Sequence, residues 1–200
     1  GRQALMTTTT VNDNVAVGNN ALRLNTTGAS NTALGSSALD ANLASHNTAV
    51  GKSAMAANTT GTRNTVVGNN AMDACTIGRY NVAMGYDALG TDIDGDNSVA
   101  LGYEALKTQE SSSANQSVMN VAVGAGAGQL LTTGIKNTFV GGQCGQAGTI
   151  TGAENTGVGY YALYTLAGGA YNTGIGKAAL YLVAGGDYNT AVGFGAGAAV

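Results

Sequence analysis

Large aliphatic residues recur along this chain immediately ahead of a glycine, at intervals far longer than a helical turn or a strand alternation. With Gly18, Gly35, Gly51, Gly68, Gly85, Gly102, Gly124, Gly141, Gly159, Gly176 and Gly193 set in register, the intervals are 17, 16, 17, 17, 17, 22, 17, 18, 17 and 17 residues. One residue before each anchor glycine stand Val17, Leu34, Val50, Val67, Met84, Leu101, Val123, Val140, Val158, Ile175 and Val192, all bulky and apolar. Three before it stands Val or Thr in every copy; two before it stands Ala, Gly or Val, with Phe139 as the large exception. Three after it stands Ala, replaced once by Cys144, and four after it Leu or Met, replaced by Gly128, Gly145 and Gly197. One such unit cannot bury its own apolar side chains and must stack on its neighbours, so the repeat outranks every other signal.

The columns convert into elements. Period-two alternation puts the residues one and three before the anchor on the same side of a short strand. The uniformly bulky aliphatic column predicts that this side faces the core and forms the structural core of the array. The small column then lies on the outer face, where it would pack against other copies. Asn14, Asn31, Asn47, Asn64, Asn81, Asn120, Asn137, Asn155, Asn172 and Asn189, with Ser98 in the sixth place, predict an amide ladder along the stack. Gly28, Gly61, Gly78, Gly95, Gly134, Gly152, Gly169 and Gly186, seven before the anchor, predict a recurring tight turn using the positive φ open to glycine. A second short strand is expected in the Ala-Leu segment. A helix is not, because the β-branched column and the glycines would interrupt it.

The fold class expected is therefore all-β, a parallel β-roll or solenoid of about 17-residue coils. It forms one array over residues 1–200, on the order of 50 Å long at 4.7–4.9 Å per coil. A polar loop insertion at 107–119 accounts for the long interval. Gly1 to Leu5 fit the second half of a further copy, so the array is expected to be part of a longer chain. So thin a rod is expected to close as a homotrimer, intertwined or side by side.

Composition narrows the function classes. Only 10% of residues are charged and the formal net charge is −3, so no basic stripe exists to neutralise nucleic-acid phosphates. No polybasic patch and no apolar run of about 20 residues calls for membrane insertion. Nor does the chain read as an enzyme: its acids are scattered, and no Gly-x-Ser-x-Gly elbow accompanies the single His46. The glycine-rich stretches Gly124–Gly128 and Gly193–Gly197 sit in repeat register without a following Lys-Ser/Thr, so they do not read as phosphate loops, and no cofactor is expected.

Three groups of side chains stand out. Asp92, Asp94 and Asp96 have the spacing of a calcium loop, and Asp87 and Glu104 could join them from neighbouring coils, but the segment lacks the twelve-residue length and closing Glu, so a solvated acidic turn is the simpler reading of these metal candidates. Cys75 and Cys144 lie about four coils, or ~19 Å, apart, beyond the reach of a disulfide; Cys144 substitutes for Ala, and Cys75 is placed on a turn. Tyr80, Tyr86, Tyr103, Tyr160, Tyr171 and Tyr188 occupy no core column. Stacked at bends they would offer flat amphipathic rings to a glycan or protein, or else cover turn edges and pack coil to coil.

Asn97-Ser98-Val99-Ala100-Leu101-Gly102 is similar to the Asn-Ser-Val-Ala-Ile-Gly signature of the β-roll heads of trimeric autotransporter adhesins. Other copies, such as Asn189-Thr190-Ala191-Val192-Gly193, resemble the repeats of bacteriophage tail fibres. The resemblance covers nearly the whole chain and implies a left-handed parallel β-roll, three chains around one axis, and a role in surface attachment. Adhesin-head repeats are usually shorter, and the Thr-for-Ser exchange with the recurrent Ala-Leu tail favours the tail-fibre group. The implied function is a structural segment of a virion tail fibre that mediates or supports host attachment, with other copies of itself as partners and a host-surface glycan or protein as target. The alternatives are the head of a bacterial trimeric surface adhesin and, from the Thr column alone, a monomeric β-solenoid that binds ice or a polymer.

Overall fold

Each repeat forms one three-residue strand and one closed coil. The computed structural model describes residues 1–7, 11–111, 113 and 116–198. In chain order the strands are β1 (Val15–Val17), β2 (Thr32–Leu34), β3 (Thr48–Val50), β4 (Thr65–Val67), β5 (Val82–Met84), β6 (Val99–Leu101), β7 (Val121–Val123), β8 (Thr138–Val140), β9 (Thr156–Val158), β10 (Thr173–Ile175) and β11 (Thr190–Val192). They pair in sequence order and in parallel as a single eleven-stranded sheet. Register is kept column on column: Thr48 pairs with Thr65 and Val50 with Val67. The long interval does not disturb it, since Val99 still pairs with Val121 and Leu101 with Val123. The chain is thus an all-β parallel solenoid, and among the described residues no helix is long and apolar enough to cross a membrane.

The Ala-Leu segment is not a second strand. Every coil places left-handed residues five before, two after and four after its anchor; around Gly51 these are His46 (φ 64°), Ser53 (57°) and Met55 (50°). A left-handed non-glycine residue costs about 1–2 kcal/mol, so the conformation must be stabilised by what it brings together. It turns the Leu or Met side chain into the coil and aims its amide at the next coil, as in Met55 N to Ala71 O (3.0 Å) and Met72 N to Ala88 O (3.0 Å).

Both glycine columns follow from coil stacking. The anchors take φ between 125° at Gly176 and 146° at Gly68, and a Cβ on Gly51 would stand 2.3 Å from the carbonyl oxygen of Gly68. The glycines seven before the anchor, expected to supply a positive φ, do not adopt one. Side chains are excluded there by close approach alone: a Cβ on Gly28 would lie 2.0 Å from Ala44 O, and one on Gly152 1.9 Å from Gly169 O.

The interior reverses the expected faces. The aliphatic column, expected to be the core, lies on the outer side: Val17, Leu34, Met84, Val158, Ile175 and Val192 are exposed, and Val50, Val67, Leu101, Val123 and Val140 are half-buried. The small column points inward instead, with Ala33, Ala49, Val66, Ala83, Ala100, Ala122 and Phe139 fully buried. Opposite it stand the equally buried Leu22, Leu39, Met55, Met72, Leu89, Leu106, Leu163 and Leu180. The cause is the width of the coil. A seventeen-residue turn has a narrow lumen; Leu or Met takes the room opposite the strand, so the strand presents a small residue in most coils.

The asparagines settle which strand face turns in. Asn64 Nδ2 donates to Gly78 O (2.8 Å) and its Oδ1 accepts from Asn81 N (2.9 Å), bonds to the backbone of the following coil. The same pair recurs at Asn47, Asn137, Asn155 and Asn172. Asn and the small residue lie on one side of the strand, so Thr/Val and the aliphatic column lie on the other. The amide ladder is real, and it is made largely of side chain to backbone clips.

Candidate functional site

The most extensive surface feature is the outer face of the sheet. Its 22 positions, the two outward residues of each strand, are Thr, Val, Leu, Ile or Met throughout and carry no charge. The face is one strand wide and runs the length of the rod, about 48 Å by 10 Å from the strand spacing and rise. An uncharged strip with exposed Val17, Leu34, Met84, Val158, Ile175 and Val192 is unusual on a lone soluble chain.

Two rows of side chains border this strip, and they divide the six candidate tyrosines. Tyr80, Tyr171 and Tyr188 stand on the left-handed residue before the asparagine, and Tyr86, Tyr103 and Tyr160 directly after the anchor. All six are exposed. Tyr171 and Tyr188 stack with centroids 4.9 Å apart and planes 3° from parallel, and Tyr86 stacks on Tyr103 at 5.6 Å. Arg63 lies over the Tyr80 ring at 5.5 Å. Tyr160 belongs to a four-ring group with Tyr161, Tyr164 and Tyr181. The rings therefore pack coil to coil and remain accessible at the same time.

Between Tyr103 and Tyr160 the row is interrupted. Ala125 and Gly142 take the same place in the two intervening coils, and a cavity of about 350 Å³ opens there. Glu104, Gln129, Gln143 and Gln146 line it as well. These polar groups are tied together. Lys107 Nζ contacts Glu104 Oε1 (2.9 Å) and Asp87 Oδ2 (2.8 Å), Gln129 Nε2 donates to Glu104 Oε2, and Gln146 Nε2 donates to Gln129 Oε1 (2.7 Å). Tyr160 Oη donates to Gln143 Oε1 (3.3 Å), and the Glu104 carboxylate beside Tyr103 pushes that phenol's pKa up. No lining residue belongs to the apolar strip.

The three metal candidates do not converge. Asp92 is buried and accepts from Gly95 N (3.0 Å) and Gln109 Nε2 (2.5 Å), whereas Asp96 accepts from Arg79 N (2.7 Å). Among the described residues no group of three His, Cys, Asp or Glu side chains is placed to hold a metal ion. Asp92 is not part of a solvated turn. It occupies an inward column seven after the anchor, with Asn25, Asn42, Asn58, Cys75, Gln109, Leu131, Leu166 and Val183, all buried. Sequence reading missed this column because its chemistry drifts from amide through thiol and carboxyl to aliphatic. The common signal was position alone.

Cys75, expected on a turn, sits buried in that column, and burial together with nearby Asp92 pushes its thiol up to about 12. Cys144 is buried in the Ala column as its register predicts, and burial raises it to about 12 as well. Neither is a reactive thiolate at neutral pH. The loop is shorter than the expected range 107–119: Gln109 is buried in the coil, Val118 is buried, and Ser117 bridges Asp96. Ser112, Ala114 and Asn115 lie outside the described residues.

Compared with known protein families, curated proteins and solved structures, the chain matches none.

Proposed function

We propose that this chain is a shaft segment of a homotrimeric attachment fibre of the phage tail-fibre kind, supporting host attachment from the virion. The observation that carries the reading is the uncharged strip of 22 outward positions running the length of the sheet. Water contact along such a strip is unfavourable at about 25 cal/mol per Å² of apolar surface. Closure of three copies around an axis parallel to the rod removes it, and it leaves the tyrosine-bearing borders on the outside. Column-on-column stacking also keeps the strip continuous from coil to coil, which suits a repeated symmetric contact. The bacterial adhesin head is the alternative attachment reading, and a coiled-coil stalk with a membrane anchor elsewhere in its chain would distinguish it.

The test is the mass in solution. Light scattering is expected to give about three times the 19.7 kDa of the chain; a monomer sinks the trimer. One observation favours a second reading, a monomeric solenoid that binds ice or a polymer. Thr32, Thr48, Thr65, Thr138, Thr156, Thr173 and Thr190 are on the outer face and not in the core, so a ranked threonine surface exists. Monomer mass combined with thermal hysteresis near freezing would establish that alternative.

A further inference from the structure

We infer that the cavity between Tyr103 and Tyr160 is a binding site for an uncharged pyranose sugar, one or two rings in size. The inference deepens the attachment reading by naming a ligand class and a place, and it rests on that reading only for its biological purpose. Three features carry it.

The first is shape. The site exists because two successive coils carry Ala125 and Gly142 where Tyr86, Tyr103 and Tyr160 stand in others. The two tyrosines spring from backbone positions three coil steps, or ~14 Å, apart, the Tyr160 ring leans over Gly142, and the open cavity of about 350 Å³ between them falls in the range of small-ligand sites.

The second is chemistry. A pyranose has apolar C–H faces and a rim of hydroxyls. Tyrosine rings offer flat, weakly polar surfaces to the faces, while amides and a carboxylate offer donors and acceptors to the rim. Gln129, Gln143, Gln146 and Glu104 supply those in the lining. The Glu104 charge is answered by Lys107, and Asp87 leaves the group acidic by one, which disfavours an anionic sugar.

The third is preorganisation. Tyr103 is backed by Tyr86, Tyr160 is held by Gln143 and its aromatic neighbours, and Gln129 and Gln146 are fixed in a chain of hydrogen bonds. Little side-chain freedom is left to lose on binding.

Saturation-transfer NMR and calorimetry on the full chain test this with methyl glucoside, methyl galactoside and N-acetylglucosamine, with sialyllactose as the anionic comparison. At least one neutral sugar is expected to bind with Kd on the order of 1 mM. Gly142→Leu is the blocking variant. Gly142 is not in a left-handed conformation, and a Cβ there meets only Tyr160 carbons at 3.4 and 3.6 Å and Ala125 O at 4.0 Å, so the coil accommodates it while the cavity fills. Binding is expected to fall at least tenfold in Gly142→Leu and in Tyr160→Ala. No neutral sugar binding at about 10 mM, binding by sialyllactose alone, or full binding by a folded Gly142→Leu overturns the proposal. The mass of the same samples reports separately on the trimer, so a trimer without sugar binding leaves the shaft reading intact.

Discussion

The Asn64 side chain makes three hydrogen bonds inside the rod, to Asn81 N, Gly78 O and Asn47 Oδ1, and so satisfies two backbone groups of the following coil. Such groups cannot be left buried and unpaired without a cost of about 1–3 kcal/mol each. Where the column lacks its asparagine, at Ser98, the amide comes from elsewhere: Gln109 donates to Ser98 Oγ (3.1 Å) and accepts from Asn120 Nδ2 (3.0 Å). Gln109 also holds Asp92, whose carboxyl is pushed up by burial against the pull of Gln109 and Gly95. A carboxyl raised in the folded state binds its proton more tightly there than in the unfolded chain. Its contribution is therefore most favourable at low pH, and stability declines as pH rises from the ordinary value of 3.8 through the raised one. Asp92→Asn, which restores the residue that Asn25 and Asn58 show in this column, is expected to raise the thermal midpoint at pH 7. The two proteins should converge below pH 3.8, where both side chains are neutral. Equal midpoints at both pH values would show that Asp92 carries no such penalty.

One pair of coils departs from the common packing and shows how an element tolerates it. The seventh and eighth anchored copies carry Gly128 and Gly145 where Leu or Met normally crosses the lumen, and Phe139 enters from the strand side to fill the space. A Cβ on Gly128 would stand 2.9 Å from the Phe139 ring and one on Gly145 2.8 Å, so the three residues are alternatives to the usual arrangement and exclude it. Phe139→Ala alone is expected to cost about 3–5 kcal/mol through the cavity left behind. Adding Gly128→Leu and Gly145→Leu should recover most of it in urea unfolding, because left-handed Leu is what most other coils use there. No recovery would mean that these coils differ in backbone as well as side chain. The example also marks what the sequence makes legible. The column register, the strands, the asparagine ladder and the place of Cys144 follow from spacing. The direction of each strand face does not, since alternation separates Val from Ala without saying which is inside. Size suggested Val; a lumen already filled by Leu demands Ala. The cavity was equally hidden, because it comes from the absence of a tyrosine at Ala125 and Gly142 and not from any motif.

For the whole molecule, the inversion of faces turns the aliphatic column from an expected core into an outward apolar surface. Its residues contribute little to the single coil, because the lumen is sealed by Ala, Leu and Asn without them. Polar replacement on the outside should therefore separate assembly from folding. Leu34 and Met84 are 46% and 43% exposed, lie in β2 and β5, and point away from the lumen, so long charged side chains there meet solvent in an isolated chain. In a trimer they would bring three like charges around one axis at two heights, each uncompensated by an acid because the strip contains none. Leu34→Lys with Met84→Lys is expected to leave the circular-dichroism spectrum unchanged and to reduce the scattering mass to one chain. The opposite substitution, Ala83→Leu on the inner side of β5, should destabilise the coil by about 1–3 kcal/mol through overpacking without a specific effect on assembly. If the double lysine variant keeps a threefold mass, the chains must meet along another face, and the borders carrying Tyr171, Tyr188 and Phe194, or the exposed Leu24, Leu130 and Leu182, would then be the apolar surface able to join them.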